Sequence, residues 1–144
     1  MKSPETKSPE TKSIEQRIQE FLDGTVYAVA GASNDRGKYG NMVLRCYVQA
    51  GRRAHPVHPS LAEVEGIAAY RTLADLPEPV HGLSIITPPP VTERLVEQAA
   101  AAGIRRLWMQ PGAESQAALD RAAELGVETI ARGPCLLVVL GFRG

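Results

Sequence analysis

The sequence predicts an α/β domain: a doubly wound parallel sheet of about five strands, order 3-2-1-4-5, with helices on both faces. Three observations carry this prediction. Short apolar runs alternate with helical faces along the chain. The runs are continuous rather than every-other-residue, as strands buried on both sides require. Glycine or proline marks most of the boundaries between them. Strands alternating with amphipathic helices imply parallel pairing, and right-handed crossovers favour double winding.

The elements follow in order. Ser13 and Gln16 have capping-box spacing, and Ile14, Ile18, Phe21 and Leu22 form one helical face ended by Asp23 and Gly24. Val26–Ala30 (VYAVA) reads as a buried strand, followed by a glycine-rich loop from Gly31 to Gly40. Met42, Val43, Cys46, Tyr47 and Ala50 mark a helix stopped by Gly51. Ala54–His58 is the second strand; Pro56 lacks an N–H and belongs near the strand's end or at a gap in the ladder. Residues 59–80 are irregular, with a helical turn near Leu73–Leu76. Leu83–Ile86 is the third strand, and Pro88–Pro90 precede a helix stopped by Gly103. Arg106–Gln110 is the fourth strand; Pro111 and Gly112 turn into a helix ending at Gly126, and Val127–Ala131 is the fifth strand. Leu136–Leu140 reads as strand-like, without a place in the sheet.

A chain of 144 residues with 44% apolar and 22% charged residues is expected to form one soluble domain, residues 13–144. Before it, KSPET occurs twice in residues 2–11. Its prolines and polar residues cannot offset the entropy of ordering, so residues 1–12 are expected to be a disordered tail, neutral or partner-binding. Sixteen basic residues balance sixteen acidic ones. That gives no global field for nucleic acid or an anionic membrane, so neither partner is expected. The longest apolar run, Leu136–Leu140, is too short to span a bilayer, and the polar N-terminus is not a secretory signal. Cys46 and Cys135 cannot build a disulfide framework, so a cytoplasmic setting is expected. A homodimer is compatible with all of this.

In a doubly wound sheet, ligands bind beyond the carboxyl ends of the strands, where the winding reverses. Four segments qualify. The first is the loop with Gly31, Ala32, Ser33, Arg36, Gly37, Lys38, Tyr39 and Gly40. Glycines there let backbone approach a ligand, and the next helix offers free N–H groups and a positive dipole end, suiting a pyrophosphate. The dinucleotide fingerprint G-x-G-x-x-G is absent, and a glycine-rich turn without ligand reads the same way. The others are His58–Pro59, Thr87 with Pro88 and Pro89, and Gln110–Pro111.

The second strand discriminates among nucleotides. An NAD site places Asp or Glu near its end. No acid occurs between Lys38 and Ala62, while Arg52 and Arg53 precede the strand. Bases without a carboxylate suit a phosphorylated ribose, as in NADP or coenzyme A; two solvated surface arginines are the alternative.

Val29–Ser33 (VAGAS), Arg53–Pro59 (RAHPVHP), Thr87–Pro90 (TPPP), Leu107–Gly112 (LWMQPG) and Cys135 together resemble the blocks of the small stand-alone CoA-binding proteins. These are similar to the CoA-binding domain of the succinyl-CoA synthetase alpha subunit. The resemblance covers about residues 14–136. It implies a Rossmann-like domain holding coenzyme A at the strand ends. Gly31–Ser33 and the loop to Gly40 would meet the pyrophosphate, Arg53 would be a basic contact, and Thr87–Pro89 would border the adenine or the pantetheine entry. Val57-His58-Pro59 replaces a common Val-Asn-Pro, and Gly133-Pro134-Cys135 a common Asp-Arg-Cys. The synthetase's phosphorylated histidine has no match, so ligase activity does not carry over.

No catalytic or metal constellation emerges. His55 and His58 fall on opposite faces of a strand, and His81 is isolated. No G-x-S-x-G elbow occurs. Cys135 reads either as inert or as a partner for the CoA thiol. The expectation is a non-catalytic module binding CoA or an acyl-CoA. The alternatives are a minimal NADP-linked oxidoreductase and a nucleotide sensor.

Overall fold

The computed structural model describes residues 12–144. The KSPET repeat assigned to a tail lies outside them. Lys12, assigned to the same tail, is anchored: its ammonium reaches Glu20 at 2.5 Å and Glu128 at 2.9 Å. Helix α1 (Ile14–Leu22) begins at the expected capping box, in which the Ser13 hydroxyl accepts from the Gln16 amide and the Gln16 side chain accepts from the Ser13 amide.

The chain continues through β1 (Val26–Ala30), α2 (Tyr39–Gln49), β2 (Arg53–Val57), the short strands β3 (Glu63–Val64) and β4 (Ile67–Ala68), and a 3₁₀ turn (Leu73–Asp75). Then come β5 (Gly82–Ile85), α3 (Pro89–Ala101), β6 (Arg106–Met109), α4 (Gln116–Glu124), β7 (Glu128–Ile130) and α5 (Leu136–Leu140). β1, β2, β5, β6 and β7 form one parallel sheet in the order β2-β1-β5-β6-β7.

The α/β class, the parallel pairing and the Rossmann-like winding are as expected. The strand order is not: the five strands run 2-1-3-4-5 rather than 3-2-1-4-5. The outer edge of β2 explains the difference. Pro56 offers no donor there, and its carbonyl accepts from Tyr70 while His58 donates to the Tyr70 carbonyl. Tyr70 thus occupies the edge, following the β3–β4 hairpin. β5 therefore adds to the free side of β1, and the winding reverses between these two strands.

Burial fits the winding. Tyr27 and Val29 of β1 and Trp108 of β6 pack with Phe21 of α1, with Val43, Leu44 and Tyr47 of α2, and with Leu136 of α5. Ala28, Ala30, Leu83, Ile85, Leu107 and Met109 pack on the other face with α3 and α4. The alternation is the period of two expected of strands. α5 corrects the strand-like reading of Leu136–Leu140. A short apolar run does not separate a strand from a buried helical turn. Here Gly141, at φ +68°, ends a helix whose Leu136 is fully buried.

Candidate functional site

At the switch point β1 and β5 run into neighbouring loops. Gly31 has φ +93°, and a Cβ built on it would lie 2.4 Å from the Ile86 carbonyl oxygen. A Cβ on Gly40 would lie 1.9 Å from the Gly31 carbonyl oxygen. Both glycines are thus demanded by the chain's own packing, which presses the start of α2 against the end of β1. Only Gly37 is open, with its nearest neighbour, Asp35 Oδ1, at 3.4 Å. The chain's own packing therefore requires Gly31, in addition to any approach by a ligand.

The loop between them is internally organised. Ser33 Oγ accepts from the Asp35 amide, and Asp35 Oδ1 from the Gly37 amide. Asn34 ties it to the hairpin, donating to the Glu63 carbonyl and accepting from the Glu65 amide. Asn41 donates to the Ser33 carbonyl and to Glu65, and accepts from Arg45. Glu65 Oε2 also lies 3.4 Å from Arg36. Sequence reasoning missed Asn34, Asn41 and Glu65. The signal was the Glu65-Gly66 pair, both at positive φ between two short strands, which is hairpin-turn chemistry. Arg36 and Lys38 remain exposed, Lys38 as the N-cap of α2 without a side-chain capping bond. Ala32 is buried.

His58 and Pro59 follow β2 at the same edge. His58 Nδ1 accepts from the Ser60 and Leu61 amides at 3.0 Å each, which puts the ring proton on Nε2. Pro59 is exposed. After β5, the Thr87 hydroxyl bonds to that of buried Thr92 at 2.8 Å, closing the first turn of α3, with Pro88 as N-cap and Pro89 as first residue. After β6 comes Gln110, fully buried, whose Oε1 accepts from the Leu136 amide at 2.9 Å and from the Tyr39 hydroxyl at 3.3 Å. Its Nε2 is buried without a partner. Pro111 is exposed beside it. Burial and Cys135 raise the Tyr39 phenol well above its ordinary range. The same two causes, burial first, push the Cys46 thiol up to about 11. Both groups therefore stay protonated at neutral pH, and half-buried Cys135 borders Tyr39.

Arg53 does not join them. It pairs in register with Val26, at the first residue of β1, whereas Val57 pairs with Ala30 at its last. Four residues of strand, about 13 Å, separate Arg53 from the carboxyl edge. Its guanidinium contacts both oxygens of Glu78 at 2.9 Å, and Glu78 also bonds His55 Nε2 at 2.6 Å. Arg52 is turned to the Leu22 and Gly24 carbonyls and the Tyr27 hydroxyl. Both arginines serve the amino end. The base that does sit beside β2's carboxyl end is Arg71, next to Tyr70, exposed and without an ion pair among the described residues. An apolar recess of about 480 Å³, lined by Leu73, Leu76, Val80 and Ile104, also lies toward the amino end. Among the described residues no three His, Cys, Asp or Glu side chains converge as metal ligands. No helix of the described residues is long and apolar enough to cross a membrane.

The fold and the edge together define a class: a Rossmann-like domain with an exposed cationic loop at its switch point. Within that class, the chain belongs to the CoA binding domain family, which matches residues 25–141. A conserved hypothetical protein from Pyrococcus furiosus is similar at 35% identity, with 81% of this chain and 99% of that one covered and a TM-score of 0.76. A hypothetical protein from Pyrococcus horikoshii is similar at 25% identity, covering 94% and 95% of the two chains, with a TM-score of 0.82. An ADP-forming acetate–CoA ligase of Methanocaldococcus jannaschii is 24% identical over 78 residues. Those residues are 54% of this chain and only 11% of the ligase.

Proposed function

We propose that the protein binds coenzyme A or an acyl-CoA across the carboxyl edge of the sheet, as a binding or sensing module without chemistry of its own. One observation carries the reading in a member of this family: the cation-bearing loop and the start of α2 lie at the point where the winding reverses. Arg36, Lys38 and the first-turn amides of α2 fit a pyrophosphate. Arg71, in place of Arg53, fits the ribose phosphate beside β2. The non-catalytic part rests on commitment. Ser33, Thr87 and the Nδ1 of His58 already serve the loops' own hydrogen bonds, and Tyr39 and Cys46 are held protonated.

Calorimetry with CoA, dephospho-CoA, NAD and NADP tests this. A charge-assisted phosphate contact corresponds to about tenfold or more in affinity. Wild type is expected to prefer CoA to dephospho-CoA by about that factor, Arg71→Ala to lose the preference, and Arg53→Ala to keep it. Tightest binding of NADP would instead establish the oxidoreductase or nucleotide-sensor reading. The absence of any CoA binding would end the proposal.

A further inference from the structure

The buried amide of Gln110 bears on which form of the ligand the site prefers, an inference that rests on the CoA reading and deepens it. Gln110 extends β6 by one residue and is fully buried. Its Oε1 is saturated by the Leu136 amide and the Tyr39 hydroxyl. Those two bonds fix the amide, and Nε2 is left buried with no acceptor. Unsatisfied buried donors are rare because each carries its full desolvation penalty. The Leu136 amide accounts for the oxygen of Gln110 but not for its nitrogen. The amide therefore points to an acceptor that the chain does not itself supply.

The weaker of the two bonds is that of Tyr39. Its hydroxyl contact at 3.3 Å is longer than the usual O–H···O range. The residue is half-buried, and it opens α2 directly after the exposed segment 34–38. Turning the phenol outward would give up only this long bond, while Leu136 keeps hold of Oε1. The group that meets Nε2 must be an acceptor, because an amide nitrogen only donates. β6 is two strands from β1, about 10 Å at the spacing of a sheet. That places Gln110 beyond the phosphate loop, where the pantetheine arm would run, in the neighbourhood of Cys135. A free thiol is a weak acceptor, whereas a thioester carbonyl is a full one. We infer that Gln110 Nε2 donates to the thioester carbonyl of an acyl-CoA, so that the acylated form is the preferred ligand and free CoA the weaker one.

Titrating the full chain with acetyl-CoA, CoA and S-ethyl-CoA, a thioether of similar size lacking the carbonyl, tests the inference. Wild type is expected to bind acetyl-CoA about three- to tenfold more tightly than the other two, the factor for one net hydrogen bond. In Gln110→Met the ratio of acetyl-CoA to S-ethyl-CoA affinity falls to about one. Equal affinities in wild type overturn the inference, as does a ratio that survives in Gln110→Met. The wild-type comparison needs no variant, so it decides even where the methionine protein fails to fold. Equal binding of all three ligands leaves the CoA reading standing, whereas binding of none removes both.

Discussion

Gly31 and Gly37 share one loop and are expected to answer substitution in opposite ways. Gly31 needs a positive φ, and its missing Cβ is replaced by the backbone carbonyl of Ile86, which cannot turn aside as a flexible side chain would. Gly31→Ala should cost about 2–3 kcal/mol or more from the strained backbone and the displaced strand end. Gly37 has no such neighbour and no positive φ, so Gly37→Ala should shift stability by less than about 1 kcal/mol. Denaturant midpoints of both variants check this. A tolerated Gly31→Ala would show that β1 and β5 do not meet as closely as described. Only Gly37 can then report on the ligand, since any loss of binding in Gly31→Ala is mixed with loss of fold.

At the scale of elements, Glu78 ties the approach to β5 to the start of β2 through His55 and Arg53. The hydrogen bond from His55, then that from Arg53, lowers the Glu78 carboxyl below its ordinary value of 4.5. A depressed folded-state value means that the contribution is complete above the unfolded value. It fades as the pH falls from about 4.5 through the folded value. The stability difference between wild type and Glu78→Gln, read from urea midpoints, should be constant near neutrality and shrink in acid. A difference that grows on acidification would reverse the assignment.

The same cluster shows what could be read from sequence. Helices α1 to α4 and the five main strands were legible because apolar runs and glycine stops are local signals, whereas the run of α5 was too short to tell a strand from a helical turn. The position of the loop, of Thr87–Pro89 and of Gln110 was legible too, since each directly follows a strand. The role of Arg53 was not legible, because it depends on which end of β2 faces the switch point and on Glu78, far along the chain. Nor was the strand order, which turns on Tyr70 occupying an edge that Pro56 leaves half-equipped. Both are tertiary facts with no local pattern.

For the molecule as a whole, the two helical layers meet the carboxyl edge of the sheet from opposite faces. α2 begins there from the layer of α1 and α5, and α3 begins there from the layer of α4. A ligand seated at the edge would touch the starts of both helices, while the amino end holds the Arg53–Glu78–His55 cluster and the apolar recess. Saturating ligand at about 100 times its dissociation constant stabilises the native state by about 2.7 kcal/mol. Global opening would slow equally for every amide that exchanges through it, so the informative amides are those that exchange by local opening. Hydrogen exchange with and without CoA should therefore slow most at Asn34–Gly40, Ser60–Leu61 and Gln110–Gly112. Amides of residues 74–78, at the recess, should change only by the global factor. Protection concentrated at residues 74–78 would move the ligand to the opposite end of the sheet, and with it every residue assignment made at the carboxyl edge.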